Sequence, residues 1–190
     1  MYKYIEKYLL LPKVFRFFGV VVLPSLFIGL VGFFICSYLA LFVLPADATQ
    51  QEIYRILFVH VPAAIFSELI YIFMACCGFI YLVWKTKISA IMLRSAISLG
   101  LVFTLIVLIS GAIWGKPTWG TYWVWDARIT STFILLIQYI GLLALRTSFN
   151  TMQTTDQILS IVAIVGAINI PIIKFSVNWW NTLHQNASIT

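Results

Sequence analysis

Long apolar runs, interrupted by short polar and basic clusters, set the frame of this chain. A membrane-spanning helix needs about 20 predominantly apolar residues, with a range of roughly 17–25. Five stretches meet or approach that requirement. The first extends from Val20 to Leu44 and stops at Pro45; the second runs from Val61 to Trp84 and the third from Ser95 to Ile113. The fourth, Ile129 to Leu145, carries Thr130, Ser131, Thr132 and Gln138. The fifth, Ile158 to Ile173, is interrupted by Asn169 and Pro171. Ahead of them, residues 1–18 place Tyr4, Tyr8, Leu11 and Phe15 near helical spacing, with Lys3, Lys7, Lys13 and Arg16 forming a basic face. That segment reads as an amphipathic interfacial stretch or as a basic leader, and not as a cleavable signal peptide, because the apolar run after it is too long and no small-x-small site follows. The pattern predicts an all-α, polytopic transmembrane helical bundle of about five spans, a single domain over residues 1–190.

Composition sharpens this picture. The 190 residues are 62% hydrophobic and 9% charged, whereas a soluble domain carries about 25% charged residues. The net charge of +6 is spread in clusters between apolar runs, not along a stripe, so the expected partner is the lipid bilayer and not nucleic acid. Lys3, Lys7, Lys13, Arg16, Lys85, Lys87, Arg94 and Arg146 fall on one side of the predicted spans, and Arg55, Lys116, Arg128 and Lys174 on the other. The richer side is expected to be cytoplasmic. The amino terminus is then inside, and residues 45–60, residues 114–128 and the tail from Lys174 gather on the outer face.

Within that outer set, Trp114 to Arg128 reads WGKPTWGTYWVWDAR. Trp114, Trp119, Trp123 and Trp125 with Tyr122 exceed the one or two aromatics that usually anchor a span end at the lipid interface. Gly115, Pro117 and Gly120 predict a shaped loop over 114–128 in place of a continuing helix. So dense an apolar patch marks a binding surface, and its flat rings suit a flat, apolar ligand. Asp126 and Arg128 close the loop, either as solvated charges at a helix start or, for Arg128 and Lys116, as contacts to an anionic group such as a propionate. Trp179 and Trp180 precede His184; Trp180 and His184 share a face at helical spacing, and the pair either extends the platform or anchors the interface.

The chain has two histidines, His60 before Pro62 and His184 in NWWNTLHQN. The topology puts both on the outer side, flanking the Trp-rich stretch. Zinc wants three or four protein ligands, and neither a third histidine nor an outer cysteine is present to supply them. Haem brings its own equatorial nitrogens, so two imidazoles suffice as axial ligands. Cys36, Cys76 and Cys77 lie inside apolar runs as small hydrophobes. Glu68, the carboxylate well inside a span, is a functional candidate by cost alone: it is protonated, pairs with Arg94 or a hydroxyl, or meets a partner subunit. The sequon at Asn186 is weak evidence for modification.

WGTYWVWDAR with WGKP upstream resembles the signature of the WWD-domain haem-handling proteins. HVPAA around His60 and NIPIIKFSVNWWNTLHQ resemble, within that group, the cytochrome c maturation protein C (CcmC) family, in the same order over essentially the whole chain. The resemblance implies a bacterial inner-membrane protein that binds haem b on the periplasmic face and presents it to the haem chaperone CcmE. The small protein CcmD and the ATP-binding cassette components CcmA and CcmB are its implied partners. Carried over, His60 and His184 are the axial ligands, and Trp114, Trp119, Trp123, Trp125 and Asp126 form the haem platform and chaperone contact. Family members usually have six spans, so a sixth is expected and not found, either by truncation or as a shorter natural form. No Ser-His-Asp constellation, Walker loop or metal-hydrolase motif is present, so the expected role is positioning and not conventional catalysis. Rival readings are a haem exporter that moves haem across the bilayer, a b-type electron-transfer protein and a structural docking subunit.

Overall fold

The computed structural model describes residues 11–180 and His184. Tyr4, Tyr8 and the lysines of the amino-terminal segment, and the sequon at Asn186, lie outside the described residues. Among those described, the chain is mostly helical, without strands, and five helical segments are long and apolar enough to cross a membrane: Pro12–Val43, Glu52–Trp84, Lys87–Trp119, Ala127–Leu145 and Met152–Trp179. This is the all-α, polytopic architecture that the apolar runs predict.

Two compact units divide the chain, the first ending at Thr49 and the second beginning at Gln50. The first contains helix α1 (Leu11–Tyr38), which runs on into a π-helical turn, Leu39–Val43. α1 begins earlier than its apolar run, because Lys13 and Arg16 change the polarity of a helix without breaking it. Pro12 sits in the first turn, where its missing N–H is not needed. Most of its large apolar side chains, Phe17, Leu23, Phe27 and Phe34 among them, are exposed. A helix that is apolar all round is suited to lipid and not to water.

The second unit packs five helices. A 3-10 turn, Glu52–Ile56, leads into α2 (Leu57–Trp84), which returns through Lys85 and Thr86 as α3 (Lys87–Trp119). Lys85 closes α2 in the left-handed region, φ 54°, its N–H reaching Tyr81 O at 2.8 Å. α4 (Ala127–Leu145) is capped by Asp126, whose Oδ1 accepts from Ile129 N at 2.8 Å. α5 (Met152–Gly166) and α6 (Asn169–Trp179) together make the last span. The break between them has a covalent cause: Pro171 has no N–H to give to Ala167 O, which accepts from Ile170 N at 3.1 Å instead. Asn169 Nδ2 then donates to Ser131 O at 2.9 Å, fixing the break against α4.

α2 packs against α3 and α5, α4 against α3 and α6. The core between them is Tyr71, Met74, Leu93, Ile97, Leu135, Tyr139, Leu142 and Leu159, all fully buried. Small residues let these helices approach, as is usual where lipid supplies no hydrophobic drive. A Cβ on Gly100 would overlap the Tyr139 ring, and one on Gly78 would come within 3.0 Å of the Ser160 backbone. Tyr139 crosses from α4 to α2, its hydroxyl donating to Ser67 O at 2.8 Å. At the other end of the bundle, Arg94 Nη1 pairs with Asp156 Oδ1 at 2.6 Å. Glu68 is therefore not the partner of Arg94; sequence spacing did not bring Asp156 forward, because the pair joins helices 62 residues apart.

Two local expectations need correction. α3 does not stop near Ile113 but continues through Trp114, Lys116 and Pro117 to Trp119. Pro117 costs the helix one hydrogen bond, to Ile113 O, and not the whole turn. The true stop is Gly120, φ 80°, where absence of a Cβ makes the left-handed cap cheap. The loop is thus residues 120–126, not 114–128. Likewise, α6 ends at Trp179, and Trp180 is extended (φ −130°, ψ 153°). No helix carries Trp180 and His184 on a common face.

Candidate functional site

α2, α3, α4 and α6 each bring one end to the same place: the start of α2, the finish of α3, the start of α4 and the finish of α6. There they line a cleft, open at its mouth, whose walls include His60, Glu68, Gly111, Trp119, Tyr122, Trp123, Arg128 and His184. Most of it is too narrow for water to move freely, so the cleft is a slot.

His60 is held from behind. Its Nδ1 lies 2.9 Å from Ser110 Oγ, on the neighbouring helix. Ser110 has one hydroxyl proton, and its 2.6 Å contact to Ile106 O, a carbonyl that only accepts, takes it. His60 Nδ1 must then be the donor, leaving the lone pair on Nε2. Trp114 packs edge-on against the imidazole, ring centroids 5.7 Å apart, and is itself tied by Nε1 to Gln50 Oε1 at 2.9 Å. Gly111 passes so close that a Cβ there would stand 3.1 Å from His60 Cε1.

His184 is held in the same manner by a different group. Its Nδ1 lies 2.8 Å from Asp126 Oδ2. Burial of the imidazole outweighs the raising effect of the Asp126 carboxylate and holds the His184 pKa below its ordinary value. A carboxylate only accepts, so His184 Nδ1–H donates to Asp126, and in the neutral ring Nε2 again carries the lone pair. Trp119 packs edge-on against it at 4.8 Å. Asp126, 8% exposed, serves α4 and His184 with its two oxygens.

Six of the ten residues singled out by sequence therefore meet in one slot: His60, His184, Trp119, Tyr122, Trp123 and Arg128. The other four do not line it. Trp114 backs His60 and Asp126 backs His184. Trp125 is 71% exposed and packs on Trp123 and Phe133 at the rim. Lys116 turns away, its Nζ donating to Gly120 O at 3.0 Å and lying 5.3 Å over the Tyr122 ring. Ser110 and Gly111 were not legible as site residues, since their part depends on a neighbour about fifty positions away. Trp123 lines the slot, and its Nε1 is buried with no hydrogen-bond partner among the described residues. A buried donor left unpaired is costly and calls for an acceptor. Chemically, then, the slot offers two neutral imidazole donors, aromatic walls, an orphaned N–H and a guanidinium. Among the described residues no three His, Cys, Asp or Glu side chains converge to hold a metal by themselves.

Comparison with known proteins gives this slot a family. The model of the heme exporter protein C family matches residues 6–190. The chain belongs to that family. Heme exporter protein C of Escherichia coli (strain K12) is 47% identical over 144 residues, which is 76% of this chain and 59% of the relative. A putative cytochrome c biosynthesis ccmC-like mitochondrial protein of Marchantia polymorpha is 49% identical over 153 residues, covering 80% and 64% of the two chains. Heme exporter protein C of Haemophilus influenzae is 46% identical over 146 residues, covering 77% and 59%. The chain spans about three-fifths of the length of these relatives.

Proposed function

We propose that this protein binds haem b in the slot, with His60 and His184 as the axial ligands, and presents it to the haem chaperone CcmE during cytochrome c maturation. The observation that carries this reading is the matched pair of histidines. Each donates its Nδ1–H to a fixed acceptor and keeps its Nε2 lone pair, the arrangement metal-ligating histidines adopt. Two protein ligands satisfy haem iron, whose remaining positions the macrocycle fills. The slot suits the rest of that ligand. Trp119, Tyr122 and Trp123 give flat apolar walls, and Arg128 and the unpaired Trp123 Nε1 offer a cation and a donor to a propionate. Trp125 and Tyr122, both strongly exposed at the rim, are available to a docking protein. The names of the relatives, heme exporter and cytochrome c biosynthesis protein, agree with this reading.

In this role the protein holds and orients its cargo. Burial and edge contacts with aromatic rings retain the macrocycle, and the exposed rim leaves one edge within reach of a partner. The inner-membrane location, with this end of the bundle facing the periplasm, belongs to the same proposal and is supported by the excess of lysine and arginine on the opposite side. CcmA, CcmB and CcmD are its proposed partners, on the strength of the family.

Absorption spectra of the protein purified from membranes, beside His60→Ala and His184→Ala, test the core of the reading. Six-coordinate haem in the parent, weakened by either substitution, is the expected result. A haem-free parent, or haem unchanged in both variants, would overturn it in favour of a docking subunit.

A further inference from the structure

The two histidines are held by partners of different charge. His184 donates to a carboxylate, Asp126, at 2.8 Å, whereas His60 donates to a neutral hydroxyl, Ser110, at 2.9 Å. That hydroxyl donates its own hydrogen bond to Ile106 O, so toward His60 it is a neutral acceptor. A hydrogen bond to an ionised acceptor is roughly twice as strong as a neutral one. Donation from Nδ1 pushes electron density through the ring and raises the basicity of Nε2. Equal side chains at equal distances are thereby made into unequal ligands.

We propose that His184 is the permanent ligand of the bound haem and His60 the exchangeable one, the inequality being set by Asp126 against Ser110. This rests on the axial reading given above. Release is then an ordered ligand exchange. The bond from iron to His60 Nε2 breaks first, a donor atom of the incoming acceptor protein or water takes that position, and the bond to His184 breaks last. No electron is transferred, and His60 leaves as the neutral imidazole it was, its Nδ1–H still donated to Ser110 Oγ.

The surroundings agree with this division. Asp126 is buried and pinned by its second oxygen to Ile129 N, so the acceptor for His184 is fixed on a helix start. Ser110 sits inside α3 and offers one oxygen already shared with the backbone. Gly111 beside it leaves the His60 ring without a side-chain wall at Cε1. Asp126 and Ser110 are positioning residues: neither lines the slot.

The test uses haem-loaded protein in which one ligand at a time is left. His60→Gly leaves iron on His184, and His184→Gly leaves it on His60. In the ferrous five-coordinate state, resonance Raman reads the iron–histidine stretch directly, and a more basic imidazole raises it. The expected result is a higher frequency in His60→Gly than in His184→Gly, lowered when Asp126→Asn is added to His60→Gly. In the otherwise intact protein, Asp126→Asn speeds haem loss to excess apomyoglobin by about tenfold or more, and Ser110→Ala by only a few-fold. Asn keeps the helix cap, and the melting curve of the haem-free protein checks that it does. Equal stretches in the two single-ligand proteins, or equal acceleration by Ser110→Ala and Asp126→Asn, would overturn the inference while leaving the axial pair standing. Single-ligand variants that both keep the six-coordinate spectrum of the parent would sink the axial reading itself.

Discussion

At the scale of single residues, the decisive groups are those that stand behind the two histidines. Gly111 is one: an added Cβ would meet His60 Cε1 at 3.1 Å, tighter than ordinary contact. We expect Gly111→Ala to push the imidazole off its line and to weaken haem binding by about tenfold, the low end of what losing a ligand's support costs. Titration with haem checks this, and Gly111→Ala on top of His60→Ala should add nothing. Asp126 is another, and its two oxygens can be separated by substitution. Asp126→Ala should cost about 1 kcal/mol through the lost cap, whereas Asp126→Asn should melt like the parent. Both should bind haem poorly, because an amide nitrogen facing His184 Nδ1 favours the wrong tautomer. Thermal melts of the haem-free proteins, set beside haem titrations, separate the two effects. His60, His184 and the aromatics stood out in the sequence because their types are rare and clustered. Ser110 did not, since a serine in an apolar helix has many possible partners and only the fold selects one.

At the scale of elements, packing is carried by positions where a helix has no side chain. Gly100→Ala would force the Tyr139 ring aside and with it the hydroxyl's bond to Ser67 O. Overpacking of this kind typically costs about 1–3 kcal/mol, so we expect a clear drop in the detergent melting temperature. Asn169→Ala removes the 2.9 Å bond to Ser131 O at the break in the last span. Interhelical bonds in membranes average about 0.6 kcal/mol, so this loss should be smaller than that of Gly100→Ala, and a reversed order would argue against the packing described. Element existence was legible from apolar run length, and the fifth span's interruption from Asn169 and Pro171. The finish of α3 was not, because Pro117 and Gly115 look like loop formers by type. Only the actual position of Pro117, in the closing turn, shows how little the helix loses there.

For the molecule as a whole, orientation is the property most open to a direct test. With Cys36, Cys76 and Cys77 replaced, a cysteine at Tyr122 should react with an impermeant thiol reagent in intact cells, and one at Thr86 only after permeabilisation. Labelling in the opposite order would reverse the proposed topology. The general plan, helices gathered so that one end is aromatic and the other basic, follows from sequence because lipid penalises charge most at the middle of a span and least at its ends. What the sequence leaves open is how those ends are tied together, and here one feature has a wider consequence. Each histidine is hydrogen-bonded to a different neighbouring helix, His60 of α2 to α3 and His184, beyond α6, to the capping residue of α4. The two imidazoles are therefore the jaws of a calliper whose setting is the spacing of α3 and α4, joined at this end by residues 120–126. A change of one residue in that short bridge, far from either imidazole in the chain, would alter the gap and with it the span of ligand the jaws can close on.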